Sequence, residues 1–148
     1  MRHICALLLL VMTGAAETAG RVEYVGGTIE ALKSGSDGSL LTADRQMLTV
    51  RIGPSETEIP YERINLVEYG QNSSRRIVMA VVVSPLFLLA KSRLHYLTIG
   101  LRDAEDRQQA MVLRVDKKKV RAVLASLEAR TGLRVQYQDG EARKAGKG

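Results

Sequence analysis

His95–Thr131 reads HYLTIGLRDAEDRQQAMVLRVDKKKVRAVLASLEART, and a change of period inside it decides the fold. From His95 to Leu101 the residues alternate, which predicts a strand with Leu97, Ile99 and Leu101 facing inward and Tyr96 and Thr98 outward. Asp103–Arg107 supplies a turn, and Met111, Leu113 and Val115 give the inward face of a second strand. Past Asp116 the spacing becomes i, i+3, i+4 and i+7 at Val120, Val123, Leu124 and Leu127, the stripe of an amphipathic helix over Lys117–Arg130. Asp116 suits its N-cap and Gly132 its C-terminal stop. A hairpin that runs straight into such a helix needs a sheet with an apolar face for the helix to cover.

Upstream, the chain supplies that sheet. Arg21–Ile29 is a β-rich run in which Gly26 and Gly27 suggest a bulge or bend, and Lys33–Gly38 is a cluster of turn formers. Ser39–Thr42 reads as a short strand, and Asp44 and Arg45 as a turn. Met47–Ile52 is a strand with Leu48, Val50 and Ile52 on one face and Thr49 and Arg51 on the other. Gly53 and Pro54 interrupt the pattern, which resumes at Glu58–Ile64 and Asn65–Tyr69, with Pro60 favouring an edge or a bend between two short strands. Downstream, Leu133–Tyr137 can add a short strand, and residues 138–148 read as a mobile polar tail.

The expectation is a mainly β (α+β) domain over residues 21–137: a bent antiparallel sheet or partly open barrel of six to seven strands, closed by one C-terminal helix. The strand-turn-strand EIPYERINLVEY at Glu58–Tyr69, the hairpin from HYLTIGLRD to QQAMVLRVD, and the helix Asp116–Thr131 together resemble the pleckstrin-homology and GRAM-like superfold. The resemblance covers roughly Val22–Thr131 and rests on patterns of polarity. The chain also resembles exported bacterial proteins, a likeness that implies no activity. Phosphoinositide-binding members of the pleckstrin-homology family carry several basic residues around the first hairpin. Here Ala31–Ser39 offers only Lys33, beside Asp37, so that specificity is not carried over.

Between the fourth-strand region and the late hairpin lies Ile77–Ala90, IVMAVVVSPLFLLA, fourteen residues without a charge, preceded by Arg75 and Arg76 and followed by Lys91 and Arg93. As a helix it would reach about 21 Å, short of a hydrocarbon core of roughly 30 Å. Three readings stay open. The run is a buried strand to Val83 followed by a core crossing or helix-packing segment from Leu86, or a hydrophobic loop or helical hairpin entering one leaflet with Pro85 at the bend and the flanking basic residues at headgroup level, or a protein contact.

Residues 1–16 have the pattern of a secretory signal peptide: Arg2 and His3, an apolar stretch Ile4–Met12, then Gly14, Ala15 and Ala16, with cleavage after Ala15 or Ala16. Export to the periplasm or beyond, with possible membrane association, is the expectation that follows. Cleavage removes Cys5, the only cysteine, and with it disulfide and thiol chemistry. Charge is unevenly spread. Residues 17–70 sum to −4 and residues 71–148 to +9, which makes a protein or an anionic lipid surface the expected partner.

No constellation for catalysis is legible, and the chain reads as a non-enzymatic binding or scaffold domain of the bacterial envelope. His95 is the one histidine after processing, and HExxH, CxxC, GxSxG and GxxxxGK[ST] spacings are all missing, so no metal, cofactor or small-molecule substrate is expected. Asp103, Glu105 and Asp106 cluster, but between Arg102 and Arg107 they suit a solvated hairpin tip better than a cation site. With one Phe and no Trp the chain lacks the aromatic platform that nucleic-acid stacking uses. The candidate lipid- or partner-binding residues are Arg75, Arg76, Phe87, Lys91 and Arg93 around the apolar run, and Lys117, Lys118 and Lys119 at the helix start. There, cations oppose the helix dipole by about 0.3–1 kcal/mol each.

Overall fold

The computed structural model describes residues 19–71 and 94–147. The expected signal peptide of residues 1–16 and the run 77–90, with Arg75, Arg76, Phe87, Lys91 and Arg93, lie outside the described residues. Among the described residues, eight strands form one sheet: β1 (Ala19–Gly27), β2 (Ser36–Leu41), β3 (Met47–Ile52), β4 (Ser55–Pro60), β5 (Ile64–Gly70), β6 (Tyr96–Arg102), β7 (Gln108–Val115) and β8 (Gln136–Tyr137). Helix α1 (Val120–Thr131) follows β7, and α2 (Gly140–Lys147) follows β8.

The strand order is β4-β3-β2-β1-β7-β6-β5-β8. Laid flat, six strand spacings between β4 and β5 would separate them by roughly 29 Å. Yet only the 3-10 turn Tyr61–Arg63 joins Pro60 to Ile64, a link that reaches at most about 14 Å. The sheet must therefore curl until its margins approach, and because β4 does not pair with β5 it stays unclosed. Pro60, the last residue of β4, stands both on the margin strand and at the bend, as its missing N–H requires. At the β3–β4 turn Gly53 has φ +54 and precedes Pro54, the pattern of a two-residue type II′ hairpin.

Inside the curl lies one principal core. Leu40, Leu48, Val50, Tyr69, Leu97, Ile99, Met111 and Leu113 lose all their exposure there. The predicted stripe Val120, Val123, Leu124 and Leu127 is buried against them, each large side chain contributing about 1.5–3 kcal/mol. Hydroxyl and guanidinium contacts fix the rotation of α1: Ser126 Oγ donates to Thr42 Oγ1 at 2.7 Å, and Arg130 to the Ala43 carbonyl at 3.3 Å. Gly132, at φ 73, ends the helix in the left-handed conformation. The glycine pair of β1 coincides with a register shift against β7 between Tyr24 and Gly26, a bulge that bends the strand.

Several expectations need correction. The sheet has eight strands and is mixed, because β8 pairs parallel to β5 through Glu68 with Gln136 and Tyr69 with Tyr137. The polar tail, for which the sequence predicts no regular element, holds α2, with Ala142 and Gly146 buried and the Asp139 carboxylate capping its start through the Ala142 N–H at 2.7 Å. Its apolar positions are small, so the sequence pattern concealed them. Helix α1 is assigned from Val120, with Lys119 as its cap residue. Asp116 caps the turn before it, its carboxylate accepting the Lys118 N–H at 2.8 Å and its carbonyl the Lys119 and Val120 N–H groups. Tyr96 and Thr98 are buried as well as Leu97 and Ile99. Tyr96 joins Val25 and Val112, with Leu94 against them, in a second small apolar cluster.

Candidate functional site

Three strand ends build the basic pole of the domain. Tyr96 pairs with Gly70 at the end of β5 and with Arg114 near the end of β7, and the Val115 N–H donates to the His95 carbonyl at 2.8 Å. Gln71 and Leu94, the two residues that flank segment 72–93, are thereby held at one end of the sheet. Asp116 turns the chain there, its N–H donating to the Arg21 carbonyl, and Lys117, Lys118 and Lys119 follow at once, all exposed. Among the described residues the three lysines form no ion pair. Arg121, one turn on, donates instead to the Ala145 carbonyl of α2.

Beside the lysines is a cleft of 260 Å³, bordered by Arg21, Glu23, Asp37, His95, Arg114 and Lys117. Arg114 pairs with Glu23, so the cleft itself is nearly charge-balanced. His95 Nδ1 lies against the Tyr69 hydroxyl, and the two rings stack with centroids 5.9 Å apart and planes 9° from parallel. Burial, with Tyr137 adding to it and Arg121 opposing, pushes the Tyr69 hydroxyl up to about 12. It therefore stays a neutral O–H. Burial also holds the His95 imidazole below its ordinary value, with the Lys117 charge reinforcing it and Asp116 opposing. A neutral imidazole accepting at Nδ1 suits that donor. The pair anchors the start of β6 to the end of β5, and Tyr137 of β8 packs edge-on against Tyr69.

The acidic cluster lies on the β6–β7 turn, bound to its own neighbours. Asp103 Oδ1 accepts the Glu105 and Arg107 backbone N–H groups, and Oδ2 accepts Arg107 Nε and Gln109 Nε2. Arg107 also reaches Glu105, and Arg102 pairs with Asp106. Burial of the Asp103 carboxylate works against its ionisation, but the backbone N–H of Arg107, Gln109 and the Arg107 side chain outweigh it and hold the group at about 2. Among the described residues no group of three or more His, Cys, Asp or Glu is placed to hold a metal ion.

Sequence reasoning missed a second concavity. A groove of 480 Å³ lies where the sheet fails to close, between β4 on one margin and the β6–β7 hairpin toward the other, with Thr28–Glu30 also lining it. Its walls come from four separate segments, none with a motif of its own. Pro60 as an edge residue was the one available hint. In comparisons with known proteins, the chain matches no protein-family model and no curated protein.

Proposed function

We propose that the chain is a non-enzymatic binding domain of pleckstrin-homology-like architecture, exported to the bacterial envelope, whose basic pole docks on an anionic membrane surface. The run of seven strands in the order β4-β3-β2-β1-β7-β6-β5, with α1 directly after β7, supports the family reading. Strand β8 and helix α2 are additions to the expected pattern. The observation that carries the membrane reading is the register at the pole. Gln71 and Leu94 lie at the same end of the sheet as Lys117–Lys119, so the apolar, basic-flanked segment leaves and rejoins the sheet at the end that carries three cations with no carboxylate partner among the described residues. A lipid headgroup layer answers both features, because anionic phosphates neutralise the lysines while acyl chains accept apolar side chains. Each lysine near such a surface gains about 1 kcal/mol.

The test is sedimentation of the processed protein with phosphatidylcholine vesicles, with and without phosphatidylglycerol. Binding to the anionic vesicles alone, weakening as salt is raised, is the expected result. Protein left in the supernatant with both compositions overturns the reading.

A further inference from the structure

We infer that the outer margin of β4, unpaired among the described residues, is a second binding site, one that accepts an extended peptide segment of a partner protein with alternating apolar and basic residues. The hydrogen-bond parity of the margin comes first. In a two-residue hairpin the flanking residues, here Ile52 and Ser55, form a hydrogen-bonded pair, and pairing then alternates along the ladder. The Tyr61 N–H, which donates to the Gln46 carbonyl at 2.9 Å, has the same parity and fixes it independently at the other end of β4. The N–H and C=O groups of Glu56 and Glu58 therefore point away from β3, toward the open margin. Pro60, which has no N–H to offer, falls at the next outward position. Among the described residues no other strand pairs with this margin.

The groove lies along the same margin, with Thr57–Pro60 in its wall. Side chains of β4 alternate across it: Ile59 is buried toward the core, whereas Glu56 and Glu58 are exposed on the outer face. A strand laid on Glu56 and Glu58 would place every second side chain in the groove, near Ile29, Ile59 and Leu101, where apolar groups fit. The intervening side chains would stand beside Glu58 on the outer face. Charge selects what these should be. Arg102 and Arg107 of the groove are answered by Asp106, Asp103 and Glu105, and Glu56 by Arg51. Among the described residues lining the groove, Glu30 and Glu58 are left without an ion pair, against Arg63. Opposite charges across a strand pair stabilise it and like charges oppose it, so basic outer residues are favoured. Addition of a strand to a free sheet edge draws its affinity from main-chain hydrogen bonds and its selectivity from alternate side chains. This surface is separate from the basic pole, and its test is independent of lipid binding.

The experiment titrates the ¹⁵N-labelled protein with an end-capped peptide of alternating Val and Lys, and with the same peptide carrying Glu in place of Lys. Hydrogen exchange at the Glu56 and Glu58 amides should slow at least about tenfold with the Lys peptide and stay unchanged with the Glu peptide. Glu58→Lys should reverse that preference. Glu58→Pro should abolish binding while leaving thermal unfolding little changed, because the N–H it removes faces outward. The inference is overturned if neither amide is protected by millimolar Lys peptide, or if Glu58→Lys leaves the preference as it was. It is also overturned if protection appears without peptide and grows with protein concentration, which would make a second copy of the chain the occupant.

Discussion

Two turns of this molecule start alike and end differently. Asp103 and Asp116 each follow a strand, and each carboxylate accepts the N–H two residues on. At the first turn the cations fold back: Arg107 closes on Asp103 and Glu105, and Arg102 on Asp106. At the second, Lys117, Lys118 and Lys119 project with no carboxylate among the described residues to meet them. A dense charge cluster is therefore not a site in itself. Where the chain answers its own charges the cluster stabilises a turn, and where it leaves them open they are available to a partner.

The most severe way to break this comparison is to unseat the helix that fixes the second turn. Leu127 is fully buried, so Leu127→Ala should cost about 2–5 kcal/mol, read as a lower urea midpoint. If the domain is one cooperative unit, both turns will lose hydrogen-exchange protection together. Protection kept at Asp103–Arg107 alone would divide the sheet into separate units.

Next in size is the lysine turn. Replacing Lys117, Lys118 and Lys119 together by Gln should weaken binding to anionic vesicles on the order of a hundredfold. Stability should hold or rise, by up to about 0.3–1 kcal/mol per residue, because the cations oppose the helix dipole. A loss of stability without a loss of binding would reverse the roles assigned to the two turns.

The first turn should show itself in acid. Asp103 titrates at about 2 in the folded chain, below its ordinary 3.8. Its contribution is therefore present above about pH 4 and is lost as pH falls toward 2. Thermal unfolding across that window should shift downward, and Asp103→Asn should flatten the dependence.

The smallest effect belongs to His95, whose imidazole is held below 6.5 by burial and Lys117. For a base depressed in the folded state, the unfolded chain binds the proton first. Stability should be full above pH 6.5 and decline below it, toward the folded value. His95→Gln should remove that slope from the melting curve between pH 7.5 and 5.5.

Much of the fold was legible because its signals are local. The alternation of Met47–Ile52 reproduced β3 residue for residue, the apolar stripe of α1 and its Gly132 stop were visible, and Pro60 marked the edge and the bend. Helix α2 was hidden because the residues it packs inward, Ala142, Ala145 and Gly146, are small, and polar residues separate Ala142 from the other two. Alternation puts Tyr96 and Thr98 outward because it identifies one buried face and cannot reveal a second cluster on the other. Of the candidate site, Lys117–Lys119 was visible as a run, whereas the groove was not, since Ile29, Ile59 and Leu101 are far apart in the chain.

By itself the sequence determined the local periods, the turns, the helix stripe and the surplus of positive charge in the second half. Each depends on neighbours a few residues away. Only the tertiary structure decided which charges are answered, that the outer margin of β4 pairs with no other strand among the described residues, and that Gln71 and Leu94 lie at the same end of the sheet as Lys117. Those facts depend on strand order and register, which bring together groups separated by tens of residues through backbone pairing.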